Sequence, residues 1–373
     1  RLQDFTILPS AVAKPTGLPV QLTNAENPII VKKQQKYNIN RWAITGRSDH
    51  SLNTFCYRLF NHAKGLGSSF SEDDWKKLLK LSSSDLRTHI EDQRWKNAEE
   101  IRADFEQRFG DHIFQDNKIC SDSPAGDIAV ELDRKRGNNI ISWPNTSPVF
   151  GRVESGMFPK TSLMADFYSG YVVVEKLGHR KISDLDYEAS STNHESYNKF
   201  SNNSGYEIKK IISSNNADTL DLTVSVLVPK RTREQIKPCN FSLTSEHWDV
   251  DSLYYSTNLG GSSAETFEFG RDSFDQDSIL NLNVVGTNGF CPTDGVFIIG
   301  DKDKNIRFQI DLAQCFSLVR LSYDVVEETK FLLQLSFVVQ DIDETFREND
   351  CEQSFDFKCA IKYMQPTSIA EEI

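Results

Sequence analysis

From about residue 165 onward, apolar residues recur at every second position in one stretch after another. TLDLTVSVLVP places Leu220, Leu222, Val224, Val226 and Val228 on one side. ILNLNVV does the same with Leu280, Leu282 and Val284, and NIRFQIDL with Ile306, Phe308 and Ile310. LVRLSYDVV gives Val319, Leu321, Tyr323 and Val325, and FLLQLSFVVQ gives Phe331, Leu333, Leu335, Phe337 and Val339. SFDFKCAIKYM closes the series with Phe355, Phe357, Cys359, Ile361 and Tyr363. Successive side chains of a strand point to opposite faces, so this period marks antiparallel strands with one buried and one wet face. The polar breaks in VFIIGDKDKNIRFQI and YDVVEETKFLLQL read as hairpin turns. With no strong helical pattern between them, these strands predict an antiparallel β-sandwich or open barrel over residues 150–365.

The period is helical earlier in the chain, over a region set at 41–115. In SEDDWKKLLKL, Ser71 is a good N-cap, acids fill the first turn, and Trp75, Leu78 and Leu79 form one face. A second helix is expected from Ser84, with Leu86, Ile90, Ala98, Ile101, Phe105 and Phe109 as its stripe and Gly110 as its stop. The stripe is narrow, so this helix should pack on one side only. Between the two helical runs and the chain start, KGLGSSF (64–70) reads as a connector, because it lacks a P-loop lysine and the full dinucleotide glycine spacing.

Residues 1–40 carry Pro9, Pro15, Pro19 and Pro28 among short apolar pieces. Prolines this frequent favour extended chain, and the apolar pieces call for a surface to lie on. The expectation is an extended arm against its own body or a neighbouring subunit. Residues 116–149 are polar and turn-rich and read as linker or long loops, and 366–373 as a tail. The fold class is therefore α+β, mainly β. The chain opens at Arg1 rather than Met, which suggests that a leading segment has been removed.

Composition adjusts this picture. Of 373 residues, 38% are hydrophobic and 24 are Phe, enough for a real core. The net charge of −12 disfavours a phosphate-backbone or anionic-lipid partner. No apolar run reaches the roughly 18 residues of a membrane helix. The seven Cys show neither C-x-x-C nor zinc spacing, so they read as free thiols in a reducing, cytoplasmic setting or a particle assembled there.

Candidate chemistry centres on NSGYEIKKII. Glu207 and Lys209 share a strand face, and Asp184 or Asp186 precedes them at the distance used by metal-dependent nucleases. In that reading Asp186 and Glu207 hold Mg²⁺ and Lys209 lies near the water. Glu328-Thr329-Lys330 repeats the spacing in a hairpin turn, however, and the surrounding strands are not the helix-flanked sheet such a site needs. Asp301, Asp303 and Asn305 match the start of a calcium loop, but Ile306 and Leu312 break it, leaving a polar hairpin tip. HisGlu at 194–195 lacks its second histidine, and no G-x-S-x-G elbow exists. Two basic clusters remain, DRKRG (133–137) and PKRTREQIKP (229–238). Lys230, Arg231 and Arg233 of the second are candidate binding residues on a loop following a strand.

These features favour contact over catalysis. The expectation is a non-enzymatic structural or assembly subunit of a larger complex, such as a viral shell protein or a defence-complex component. Its partners would be other protein subunits, including a second copy through the arm, with no membrane and no cofactor. The alternative is the Mg²⁺-dependent nuclease above.

Overall fold

The computed structural model describes residues 44, 48–83, 86, 91–114, 130–144, 148–150, 168–176, 179–192, 195–201, 205–261, 263–270, 274–275, 289–327, 330–342 and 351–365. The N-terminal arm, the tail, the strand expected at 280–284 and His194 lie outside these residues.

Three helices come first: α1 (Asp49–Leu66), α2 (Glu72–Leu81) and α3 (Asp92–Ile113). Ser71 caps α2 as expected. Its Oγ accepts from the Asp74 amide at 3.2 Å, and Asp74 Oδ2 accepts from the Ser71 amide at 3.1 Å, a reciprocal capping box. α3 starts later than its apolar period suggests and runs through Gly110, because a helix interior tolerates one glycine for about 1 kcal/mol when flanking turns pack. Within α3 the stripe holds: Ala98 and Phe105 are buried, and Ile101 and Phe109 pack on the same cluster, as does Leu86 before the helix; Ile90 lies outside the described residues. α1 was not singled out by the apolar pattern, and it supplies Leu52, Phe55, Leu59 and Ala63 to that cluster. Leu79 departs from expectation: it is 68% exposed, while Leu78 and Leu81 turn inward.

The strands are β1 (Glu131–Asp133), β2 (Asn139–Ser142), β3 (Tyr171–Lys176), β4 (Ile182–Ser183), β5 (Ser190–Thr192), β6 (Glu195–Ser201), β7 (Glu207–Asn216), β8 (Thr219–Val228) and β9 (Glu234–Thr244). They continue as β10 (Tyr254–Thr257), β11 (Glu265–Glu268), β12 (Phe274–Asp275), β13 (Val296–Gly300), β14 (Asn305–Ile310), β15 (Leu318–Glu327), β16 (Lys330–Val338) and β17 (Gln353–Met364). One nine-stranded sheet has the order β11-β10-β13-β14-β17-β8-β7-β6-β5, and a six-stranded sheet has β12-β15-β16-β9-β3-β4. All pairings within them are antiparallel. The two sheets share one apolar core, so the architecture is a sandwich. Phe241 and Phe337 of one sheet meet Phe308 and Phe357 of the other, with centroids 5.1 Å apart for Phe241–Phe308 and 5.2 Å for Phe337–Phe357. The expected hairpins β13–β14 and β15–β16 are present, and Phe355, Phe357, Cys359, Ile361 and Tyr363 all face the core.

Two stretches differ from expectation. Within 116–149, β1 and β2 form a hairpin, and Trp143 just beyond it is fully buried in the sandwich core. The cluster 229–238 is a loop only as far as Arg233; from Glu234 it is the start of β9. Pro238 is tolerated mid-strand because the pairing shifts there: Lys237 faces Val173 while Asn240 faces Tyr171. A bulge is a place where a missing N–H costs no ladder bond.

α1 docks on the connector between β14 and β15. The Phe316 amide donates to Thr54 Oγ1 at 3.0 Å, and Arg58 Nε donates to the Ala313 carbonyl.

Candidate functional site

Strand alternation decides which side chains of β7 face the core. Ile208, Lys210 and Ile212 point inward behind Tyr206, whereas Glu207 and Lys209 stand on the opposite face beside Leu227 and Ser225. The inward lysine is fully buried. Lys210 Nζ lies 2.5 Å from Asp184 Oδ2 and 2.5 Å from Asn139 Oδ1, and donates to the Gly170 carbonyl at 3.2 Å. An ammonium has three protons, and each finds an acceptor. The second Asp184 oxygen accepts from the Val172 amide at 3.0 Å, and Asn139 Nδ2 donates to the Arg136 carbonyl at 2.7 Å. β2, the residue before β3, the turn after β4, and β7 are thus tied at one point. Gly137 belongs to this knot: its φ is 68°, and a Cβ there would fall 2.5 Å from the Asp184 carbonyl oxygen.

The basic cluster 133–137 reinforces the same turn. Arg134 Nε donates to the Ala189 carbonyl at 3.1 Å, and Arg136 Nη1 to the Leu185 carbonyl at 3.3 Å. These arginines therefore bind their own backbone.

Where β3 ends and β7 begins, a cavity of about 580 Å³ opens at the end of the sandwich. Lys176 at the end of β3 and His179, Arg180 and Lys181 before β4 give it a cationic rim. Ile182, Tyr187 and Tyr206 provide apolar walls, and Asp186 is the lining carboxylate. Arg180 Nη2 reaches Asp186 Oδ2 at 3.2 Å, and Lys181 Nζ reaches Glu175 Oε2 at 3.3 Å, both exposed pairs. Beside the cavity the Tyr206 hydroxyl donates to Glu234 Oε1. Desolvation is the main cause that pushes the Glu234 carboxyl above its usual range, with Thr232, Tyr206 and Lys176 opposing it. Burial and the neighbouring carboxyl likewise raise the Tyr206 phenol.

Of the residues suggested by the sequence, Asp186 therefore lines this cavity with Tyr206, while Glu207 and Lys209 project from the other side of β7. The three do not converge. Lys230, Arg231 and Arg233 are exposed on the loop that carries the chain from β8 in one sheet to β9 in the other. Asp301 is the expected hairpin tip: its carboxylate accepts from the amides of Asp303 at 2.8 Å, Lys304 at 2.9 Å and Asp249 at 3.0 Å. Among the described residues no group of three His, Cys, Asp or Glu side chains is placed to hold a metal ion. Among the same residues no helix is long and apolar enough to cross a membrane.

A Cys–His contact also appears. His50 Nε2 lies 3.0 Å from Cys315 Sγ, with the imidazole 4.8 Å from the Phe355 ring. Desolvation lowers the imidazole to about 4 and raises the thiol well above its usual range. Both groups are held neutral, the reverse of the thiolate–imidazolium pair that nucleophilic chemistry needs. The contact fastens α1 to the sandwich.

No protein-family model matches the chain, and no curated protein matches it. Solved structures that it is similar to include a heparinase III, at 10% identity over 63% of this chain and 31% of that one, with a TM-score of 0.29. Another is a polysaccharide lyase, at 8% identity over 63% and 32%, with a TM-score of 0.30. A third is a 4-alpha-glucanotransferase from Thermococcus litoralis, at 10% identity over 85% and 50%, with a TM-score of 0.28. The chain spans about a third of the first two and half of the third.

Proposed function

We propose that the protein is a structural or assembly subunit of a larger protein complex, working by contact rather than by running a reaction. The observation that carries this is an apolar patch on the outside of the helical layer. Phe60 is 43% exposed and Leu79 is 68% exposed. Trp75 links them: its ring lies 6.1 Å from that of Phe60, and it shares a helix face with Leu79 one turn on. Single exposed apolar residues are ordinary, but adjacent large ones mark contact surfaces. Lys64 covers the Phe60 ring at 4.7 Å, the polar edge expected of such a surface.

The loop with Lys230, Arg231 and Arg233 offers a second, electrostatic contact for an acidic partner. The cytoplasm as the place of assembly fits Cys239, Cys291, Cys315, Cys351 and Cys359, which form no disulfide among the described residues.

The test is pull-down of the tagged full chain from its native source, with the wild type beside a Phe60→Ser/Leu79→Ser variant. The wild type should retain stoichiometric protein partners and the variant should lose them while keeping its unfolding midpoint. Equal recovery of partners by both would remove the patch as the contact.

A further inference from the structure

We propose that the cavity at the open end of the sandwich binds a small phosphomonoester whose organic body is a flat ring. The site goes beyond the assembly role and stands independently of it. Lys176, Arg180 and Lys181 line one concave space opposite a single lining carboxylate, Asp186, in a chain whose net charge is −12. Three permanent cations at one rim suit a dianion. A lone carboxylate or a sulfate ester, each a monoanion, would be served by Arg180 alone through its two-pronged guanidinium. The pairs that Arg180 makes with Asp186 and Lys181 makes with Glu175 are easily exchanged, since the side chains are 85% and 41% exposed in the first and 64% and 39% exposed in the second. Pairs this wet are worth at most about 1 kcal/mol. An incoming phosphate offers the same guanidinium three acceptor oxygens.

The rest of the cavity speaks to the body of the ligand. Its volume of about 580 Å³ is far more than an inorganic anion fills and lies in the range of small-molecule sites. Tyr187 and Tyr206 line it and supply flat apolar walls for a ring. Glu234, which accepts from the Tyr206 hydroxyl beside the cavity, is pushed above the usual carboxylate range by burial, with Lys176 opposing.

The experiment is isothermal titration of the full chain with phenyl phosphate, inorganic phosphate, phenyl sulfate and phenol. Phenyl phosphate should bind saturably, and more tightly as pH rises through about 6, where it becomes a dianion. Phenyl sulfate and inorganic phosphate should each bind at least tenfold more weakly, and phenol should give no heat. An Arg180→Ala/Lys181→Ala variant, altering two exposed side chains, should lose at least tenfold in affinity with an unchanged unfolding midpoint. Tyr187→Ala should weaken phenyl phosphate and leave inorganic phosphate unaffected. Absence of saturable phenyl phosphate binding would overturn the proposal. So would binding that the double variant leaves intact, or equal affinity for phenyl phosphate and phenyl sulfate. Equal affinity for inorganic phosphate would remove the ring-binding half.

Discussion

A lysine with no exposed surface is stable only if every proton is matched, and Lys210 meets that condition through Asp184, Asn139 and Gly170. Removing one partner strands the other. Lys210→Met should therefore cost about 3–5 kcal/mol in denaturant unfolding. Lys210→Met combined with Asp184→Leu should cost clearly less than the two single changes added together, since neither charge is then orphaned. Strict additivity would show that the pair is not a unit. Glu234 carries a pH signature of the opposite kind. Its folded-state carboxyl is raised above the ordinary 4.5, so the native state holds its proton longer than the unfolded chain does. The stability it contributes is full below that ordinary value and falls as pH rises through the raised one. Glu234→Gln should flatten this decline in a pH series of unfolding midpoints, and an unchanged slope would contradict the assignment. The sequence shows why attention falls on the wrong pair. Glu207-x-Lys209 is a recognisable spacing, while Lys210 is an isolated polar residue in phase with Tyr206, Ile208 and Ile212. That phase was readable. Its partners were not, because Asp184 and Asn139 arrive from loops whose course no period encodes.

Among the elements, α2 was the most legible. Ser71, the acids behind it and Leu78 are local signals, and local signals suffice for a capped helix. What the sequence does not reveal is the second use of Asp74. Arg108 of α3 donates to it from Nη1 at 2.7 Å and from Nη2 at 2.9 Å, so the capping carboxylate also clamps two helices. The Arg108 hydrogen bonds are the main reason the Asp74 carboxyl lies well below its usual range. A depressed acid contributes stability above its unfolded value of 3.8 and loses it as pH falls below that point. Asp74→Asn should lower stability at pH 7 by about 1–2 kcal/mol, from the lost charge-assisted bonds. It should also narrow the gap to wild type in acid. A deficit that stays constant below pH ~4 would contradict the linkage. β9 was illegible for a different reason. Glu234, Lys237 and Pro238 disguise its first half, and only the bulge facing β3 makes a proline acceptable in a central strand. α1 was hidden because no cap marks its start: Ser48 has φ 52° and makes no side-chain cap bond.

For the whole molecule, period-two alternation predicted layered antiparallel sheets, and the two sheets around one core are what the residues form. Helical periodicity predicted a one-sided layer and misplaced Leu79, because α2 turns the face carrying Leu78 and Leu81 to the core and leaves Leu79, about 100° round from Leu78, outside. The misplaced residue is the informative one: with Phe60 and Trp75 it makes the surface on which the assembly reading depends. The most direct test is the native mass of the particle carrying this chain, measured by light scattering during gentle size fractionation from its source. The mass should lie well above that of one chain and collapse to a single chain for Phe60→Ser/Leu79→Ser. A wild-type protein that elutes alone, at the mass of one chain, would contradict the assembly role.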